Sequence, residues 1–185
     1  MTLPDDPAEN ADRAMPDGGP ASSAHDSTIL PASGRTELAD TRLQLLAEAS
    51  RRIAIYQPAL SGDIYASLAE LTELRRIAIA GRGAEIRLLL HDPEGALRVG
   101  HRLIALAQRL PSSVLVRTPI EEMDLAYASS YLLTDQGGYL FQPDARRTEG
   151  RASRHDRAAQ APLWQHFNDV WERSARASAW QPLDI

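Results

Sequence analysis

The sequence predicts an α/β fold, one mixed β-sheet with helices on its faces, behind a disordered N-terminal tail. Three observations carry that expectation. Short runs rich in branched aliphatic residues, "RRIAIYQP" (51–58), "AEIRLLLHD" (84–92) and "SSVLVRTP" (112–119), have strand composition and end near Pro or a polar pair. Between them lie segments whose apolar residues recur every three or four positions, as on one face of a helix. Finally, "DLAYASSYLLTDQGGYLF" (124–141) reads as two strands around a Gly137–Gly138 turn.

Taken in order, residues 1–35 are rich in Pro, Gly, Ala, Ser and Asp, and bury too little to offset the entropy of ordering; they are read as a tail. The folded domain is assigned to 36–178 and a short C-terminal tail to 179–185. Thr36 is expected to cap a helix to about Arg51, with Leu38, Leu43, Leu46 and Ala47 on its apolar side. After the first strand, Ile64, Leu68, Leu71, Leu74 and Ile77 predict a helix over 62–80, closed by the glycines at 81 and 83. The run Leu88–Leu90 suggests a strand buried on both faces. A helix from Pro93 to about Arg109 follows, then the third strand and the hairpin. A polar loop over 144–157 carries five arginines, and a last helix over 158–176 bears Leu163, Trp164, Phe167, Val170 and Trp171 as a core stripe. No internal repeat is visible, and the order of elements is that of one α/β sandwich.

Composition excludes several chemistries. Outside the tail about 150 of the 185 residues remain, enough for one domain with its own core. With no cysteine there is no disulfide, thiolate nucleophile or zinc-thiolate site. All 20 basic residues are arginines, which removes Schiff-base and P-loop lysines and any lysine-dependent phosphodiesterase motif. The net charge is −5, of which residues 1–35 hold −4 (six acids against Arg13 and Arg35); the rest is near −1 and shows no global footprint for nucleic acid, though a local arginine cluster stays open. No 18-residue apolar run suggests a membrane span, and the acidic N-terminus does not read as a secretory signal, so a cytoplasmic protein is expected.

No histidine pair has zinc-helix spacing, and neither a metal nor a cofactor is expected. "GRG" (81–83) precedes a strand and is no dinucleotide fingerprint; Ser129–Ser130 lacks the nucleophile-elbow glycines. Position is more informative, because sheets of this kind collect ligands at the carboxyl ends of their strands. Those ends offer Tyr56 and Gln57, His91 and Asp92, and Arg117 and Thr118, with Arg147 and Glu149 near by in the polar loop. Gln57, His91, Arg117, Arg147 and Glu149 are the candidates for holding an anion, with an Arg117–Glu149 ion pair as the plain structural alternative.

Several segments, in their order and spacing, resemble the phospholipase D-like superfamily over roughly 38–175, and more narrowly a group of small bacterial domains of unknown function: "LLAEASRRIAIYQPALSGDIYASLAEL", "IRLLL", "VLVRTP" and "APLWQHFNDVWERS". The resemblance implies a working motif H-x-K-x4-D in the hairpin, with a G-S-x-N stretch in the next strand. The His attacks phosphorus, the Lys binds phosphate oxygens and the Asp supports the site. With the Asp matched to Asp135, the His position holds Ala128, the Lys position Ser130, and the G-S falls near Gln142 and Pro143. Alanine has no nucleophile and serine no permanent cation. What carries over is a fold, with Asp135 as the one matching residue. Three functions then compete: a non-catalytic domain binding an anionic ligand or a protein, a phosphodiester-directed enzyme rebuilt on His91 or His101, and an assembly module. Since single-motif members of that superfamily pair two copies around one cleft, the resemblance also implies a homodimer with 124–143 near the two-fold axis.

Overall fold

Each segment takes the conformation that hides its apolar side, and two opposite faces of one sheet result. The computed structural model describes residues 28–177 and Trp180. Residues 1–27 of the expected tail, and all of the expected C-terminal tail except Trp180, lie outside the described residues.

The chain opens with β1 (Ile29–Leu30) and α1 (Arg35–Glu48), then β2 (Arg52–Gln57), α2 (Leu68–Ala78) and β3 (Glu85–Leu90). Two short helices, α3 (Pro93–Arg98) and α4 (Arg102–Arg109), lead to β4 (Val114–Thr118) and one turn of helix, α5 (Glu122–Leu125). The hairpin β5 (Ser130–Thr134) and β6 (Tyr139–Gln142) comes next, then β7 (Arg151–Ser153), α6 (Arg157–Arg173) and β8 (Ala175–Arg176). The eight strands run in the order β1-β7-β6-β5-β2-β3-β4-β8. Neighbours β2, β3 and β4 are parallel; every other pairing is antiparallel. The mixed sheet expected from sequence is therefore present, with the parallel-to-antiparallel change between β2 and β5.

Period-two alternation sorts the core into two layers. Ile53, Ile55, Ile86, Leu88, Leu132 and Leu140 face Leu45 and Leu46 of α1, Leu74 and Ile77 of α2, and Leu103 of α4. Ala54, Tyr56, Leu89, Tyr131 and Leu133 face Leu163, Phe167, Val170 and Trp171 of α6. A buried ion pair, Arg42 Nε to Glu70 Oε1 at 2.9 Å, ties α1 to α2. Glu70 also closes a capping box with Ser67, which fixes where α2 begins.

Several elements depart from the sequence reading for visible reasons. The chain joins the sheet at Ile29, before the tail boundary expected at 35, because Leu30 and Ala32 reach the helix-side core and Ile29–Leu30 pair with Ala152–Ser153. Thr36 lies inside α1; Gly34 holds the N-cap position with no side-chain cap. The helix expected over 62–80 starts only at Leu68, after its cap. The helix expected over 93–109 breaks at Gly100, whose φ of 63° suits a residue without Cβ, and His101 caps the new helix through Leu103 N. The polar loop contains β7. Trp180, placed by sequence in a tail, is buried, with Nε1 donating to the Pro93 carbonyl at 2.9 Å.

Two stability measurements check this architecture. Phe167, fully buried between sheet and helix, should cost about 3–5 kcal/mol on replacement by Ala, read by urea denaturation. A chain beginning at Gly34 should melt at least about 4 °C below one beginning at Thr28, since about 2–4 °C accompanies each kcal/mol in a domain of this size.

Candidate functional site

The hairpin residues singled out in the sequence are all engaged internally. Ala128 is exposed just before β5, and its carbonyl accepts from Ala145 N at 2.9 Å. Ser130, the first residue of β5, is buried; its Oγ donates to Gln142 Oε1 (3.3 Å), and Gln142 Nε2 donates to the Arg147 carbonyl (2.7 Å). Ser129 Oγ donates to the Pro143 carbonyl at 2.9 Å. Asp135 sits at the far end of β5, where its carboxylate accepts from the backbone N–H groups of Ser50 and Arg51 (2.9 Å each) and of Arg52 (3.4 Å). It staples the start of β2 to the hairpin turn.

The remaining candidates do not converge on one point. Gln57 faces the α1–α2 layer and donates to the Ala59 carbonyl at 2.9 Å. Arg117 faces α6, lies over the Trp171 ring (4.6 Å to its centroid) and donates to the Trp171 carbonyl at 2.6 Å. Arg147 stays on the outer loop beside Asp144, and Glu149 bridges to Ser33 through its backbone. Arg117 therefore finds its partner in α6 and not in Glu149.

His91 is different. It leaves the carboxyl end of β3 on the α6 face, within a cluster of rings around Tyr56. The Tyr56 ring has His91 at 5.4 Å, Tyr127 at 5.3 Å, Tyr131 at 5.2 Å and His166 at 5.5 Å between centroids. Tyr56 has one hydroxyl proton and donates it to the Asp124 carbonyl (2.8 Å), so the contact with His91 Nε2 (2.9 Å) requires the imidazole to donate. The lone pair of His91 is left on Nδ1. Tyr131, whose hydroxyl burial holds firmly protonated, shares a hydrogen bond with His166 Nδ1 at 2.8 Å. The Asp124 carboxylate is buried and gripped by Arg173 through two contacts of 2.6 Å, and that hydrogen bonding lowers its pKa.

Burial lowers the pKa of both His91 and His166 against the opposing pull of Asp124, so both imidazoles are neutral near pH 7. Burial also lowers that of His101, whose Nε2 bonds the Ser61 and Ile64 carbonyls. The cluster thus presents two neutral imidazoles on an aromatic floor, and His91 turns its Nδ1 lone pair away from Tyr56. Sequence reading placed His91 and Tyr56 at strand ends and left Tyr127, Tyr131, His166, Asp124 and Arg173 out. Beside His91 a cavity of about 360 Å³ is lined also by Asp92, Glu94, Thr118 and Arg176, and the Thr118 hydroxyl is buried with no hydrogen-bond partner among the described residues.

A larger cavity, about 570 Å³, opens at the other end of the same face, between the starts of β2 and β3 and the outer side of α6; Arg52, Arg87, Arg157, Trp164 and Asn168 line it. Among the described residues no group of three His, Cys, Asp or Glu side chains could hold a metal ion, and no helix is long and apolar enough to cross a membrane.

With this sheet order and hairpin, the fold is phospholipase D-like. Nuc of Salmonella typhimurium, described as a phospholipase D family member, is 14% identical and superposes with a TM-score of 0.50 over 80% of this chain and 93% of its own. The phosphatidylserine synthase of Haemophilus influenzae Rd KW20 is 14% identical, with a TM-score of 0.54 over 82% of this chain and 39% of its own. TrmBL2, an archaeal chromatin protein described as showing a novel mode of DNA binding, is 15% identical with a TM-score of 0.58 over 85% of this chain. This chain spans 56% of TrmBL2. Likeness at these identities shows the fold alone. The model of a domain of unknown function, DUF7931, matches residues 34–183, and the chain belongs to that family. No curated protein matches the sequence.

The histidines set a pH dependence. Their folded-state pKa values lie below the ordinary 6.5, so the folded chain binds fewer protons than the unfolded chain once the pH drops to that region. The stability they contribute is complete above about pH 6.5 and declines as the pH falls below it. The melting temperature should fall from pH 7 to pH 5, and His166→Asn should flatten that fall; an equally steep fall in the variant would remove His166 from the account.

Proposed function

We propose that this domain keeps the phospholipase D-like fold without its phosphodiester chemistry and works as a binding domain for an anionic ligand. One observation carries the reading. Where the superfamily's nucleophile and phosphate-holding lysine would stand, the chain has Ala128 and a buried Ser130 bonded to Gln142. A hydroxyl turned inward onto an amide is neither a cation nor a nucleophile aimed at a ligand. The anionic character of the ligand follows from the cations lining the α6 face, which are all permanently charged guanidinium groups suited to bidentate contact. Nucleic acid is one source of such anions, and TrmBL2 is a chromatin protein of this fold; the net charge of −5 here works against binding long polyanions.

The competing reading, an enzyme rebuilt on His91, has support in its bare Nδ1 beside a cavity. An activity assay separates the two. Purified protein should hydrolyse neither bis(4-nitrophenyl) phosphate nor single-stranded DNA above background. Turnover that disappears in His91→Ala would establish the rebuilt enzyme instead.

A second copy of the chain is the proposed protein partner. Ile120, Met123 and Leu125 stand exposed on and beside α5, next to the hairpin that the superfamily resemblance puts at a two-fold axis. Light scattering on eluting protein should give twice 20.3 kDa, reduced to one chain by Met123→Arg. A mass of one chain at all micromolar concentrations would exclude the pair.

A further inference from the structure

From the cleft along α6 we infer a site for a nucleoside phosphate, at the end of β5 opposite Ala128 and Ser130. The inference deepens the binding-domain reading by naming the place and the ligand chemistry.

Four observations converge. The cleft encloses about 570 Å³, within the size of small-ligand sites. Three guanidinium groups line it from three elements: Arg52 at the start of β2, Arg87 within β3 and Arg157 opening α6. Two carboxylates also line it, and both are already engaged. Asp135 accepts three backbone N–H groups, and Glu85 pairs with Arg87 Nη2 at 3.0 Å. Arg52 gives only its Nε to the Gly83 carbonyl, at 3.3 Å, and Arg157 has no ion pair or side-chain hydrogen bond among the described residues. Arg52 and Arg157 are thus left without an ion-pair partner among the described residues, and the three guanidinium groups outnumber the two carboxylates by one, which favours an anion; two free guanidinium forks suit the several oxygens of a phosphate monoester better than a single carboxylate.

Arg87 supplies a further donor at the cleft. Its Nε is buried with no hydrogen-bond partner among the described residues, although the same guanidinium carries an ion pair and lies 5.5 Å from the Trp171 ring centroid. A buried unpaired N–H on a charged group is costly, and such groups normally meet a ligand or an ordered water.

The helix supplies the aromatic half. Arg157, Ala161, Trp164 and Asn168 follow one another at helical spacing along the cleft, a stripe of about 16 Å at 1.5 Å per residue. Trp164 is half-buried, edge-on to Phe167, and its indole has no hydrogen-bond partner among the described residues. A flat base can stack on it. Asn168, exposed and without a partner among the described residues, carries the amide donor and acceptor that a base edge needs. Phosphate between Arg52 and Arg157, base over Trp164 and edge toward Asn168 is the arrangement these positions define.

Titration calorimetry of the full chain with adenosine monophosphate, adenosine and inorganic phosphate tests it, with tryptophan fluorescence as a second readout. The monophosphate should bind saturably, and adenosine and phosphate at least about tenfold more weakly, since each lacks one half of the contacts. Arg157→Ala and Asn168→Asp, both at exposed positions, should each weaken binding about tenfold while the melting temperature holds. Arg146→Ala, on the distant loop, should leave binding unchanged. A 5′-phosphorylated tetra-adenylate separates the two sources of this chemistry: tighter binding than the monophosphate marks the end of a strand as the ligand, equal or weaker binding a free nucleotide. No saturable binding of either, or binding unaltered by Arg157→Ala, would overturn the site. Absence of binding in a protein that also fails to cleave phosphodiesters overturns this site and leaves the non-catalytic reading; binding in a protein that does cleave them leaves the site and overturns that reading.

Discussion

Strand β2 is the constraint on which the rest depends. Ile53, Ala54, Ile55 and Tyr56 are each at most 1% exposed, so the strand must be covered on both faces and paired along both edges. Its parallel partner β3 arrives through helix α2, and its antiparallel partner β5 through the hairpin, which puts two different chemistries against the same strand. On one face Ile53 and Ile55 demand the α1–α2 layer. On the other, Tyr56 carries a phenol into an apolar layer, where an unpaired hydroxyl would cost on the order of 1–3 kcal/mol. Its partners, the Asp124 carbonyl and His91, are drawn to the carboxyl end of the sheet by that requirement. The ring cluster around Tyr56 is therefore a consequence of burying β2 before it is anything else.

In the hairpin the polar groups turn to one another. In Ser130, Gln142 and the Arg147 carbonyl, donor meets acceptor within the chain, and Asp135 is held by three backbone N–H groups of the β2 entry. Buried polar groups satisfied in this way rigidify a fold. The Asp124–Arg173 pair acts similarly, fixing α5 to the end of α6 so that Tyr127 lies 4.4 Å from His166 between ring centroids. Charge in this region is balanced locally and has little reach outward.

How much of this was legible in the sequence depended on the range of the signal. The strands at 52–57, 85–90 and 114–118, the hairpin turn and the α6 stripe were readable because their periodicity is local. Ile29–Leu30 and Arg151–Ser153 were not, since these are strands of two and three residues that exist only by pairing, β1 with β7 and β7 with both β1 and β6. Trp180 carried a legible hint, a large aromatic in a segment otherwise polar, but its anchor at Pro93 lies 87 positions away. His166 has polar neighbours in sequence, Gln165 and Asn168, yet it sits one residue before Phe167 and three after Leu163, on the margin of the buried stripe. Reading α6 as a wheel with a partly wet edge would have placed it beside Tyr131. The break between α3 and α4 was marked by Gly100 and overlooked because the apolar spacing continues across it.

The two ends of the α6 face end up chemically unequal, and topology explains why. At the carboxyl end, loops leaving β3 and β4 and the approach to β5 crowd together, so phenols, imidazoles and the Asp124 carboxylate find partners within a few ångströms. At the amino end, β2 and β3 begin side by side beneath the first turns of α6, and the chain brings arginines there from three separate directions. Only one of the two nearby carboxylates pairs with a guanidinium, because Asp135 is committed to the backbone it staples. Cations that cannot be neutralised within the fold must be neutralised by solvent ions or by a ligand. The domain thus carries, at the amino end of its sheet, guanidinium groups that its own side chains do not pair.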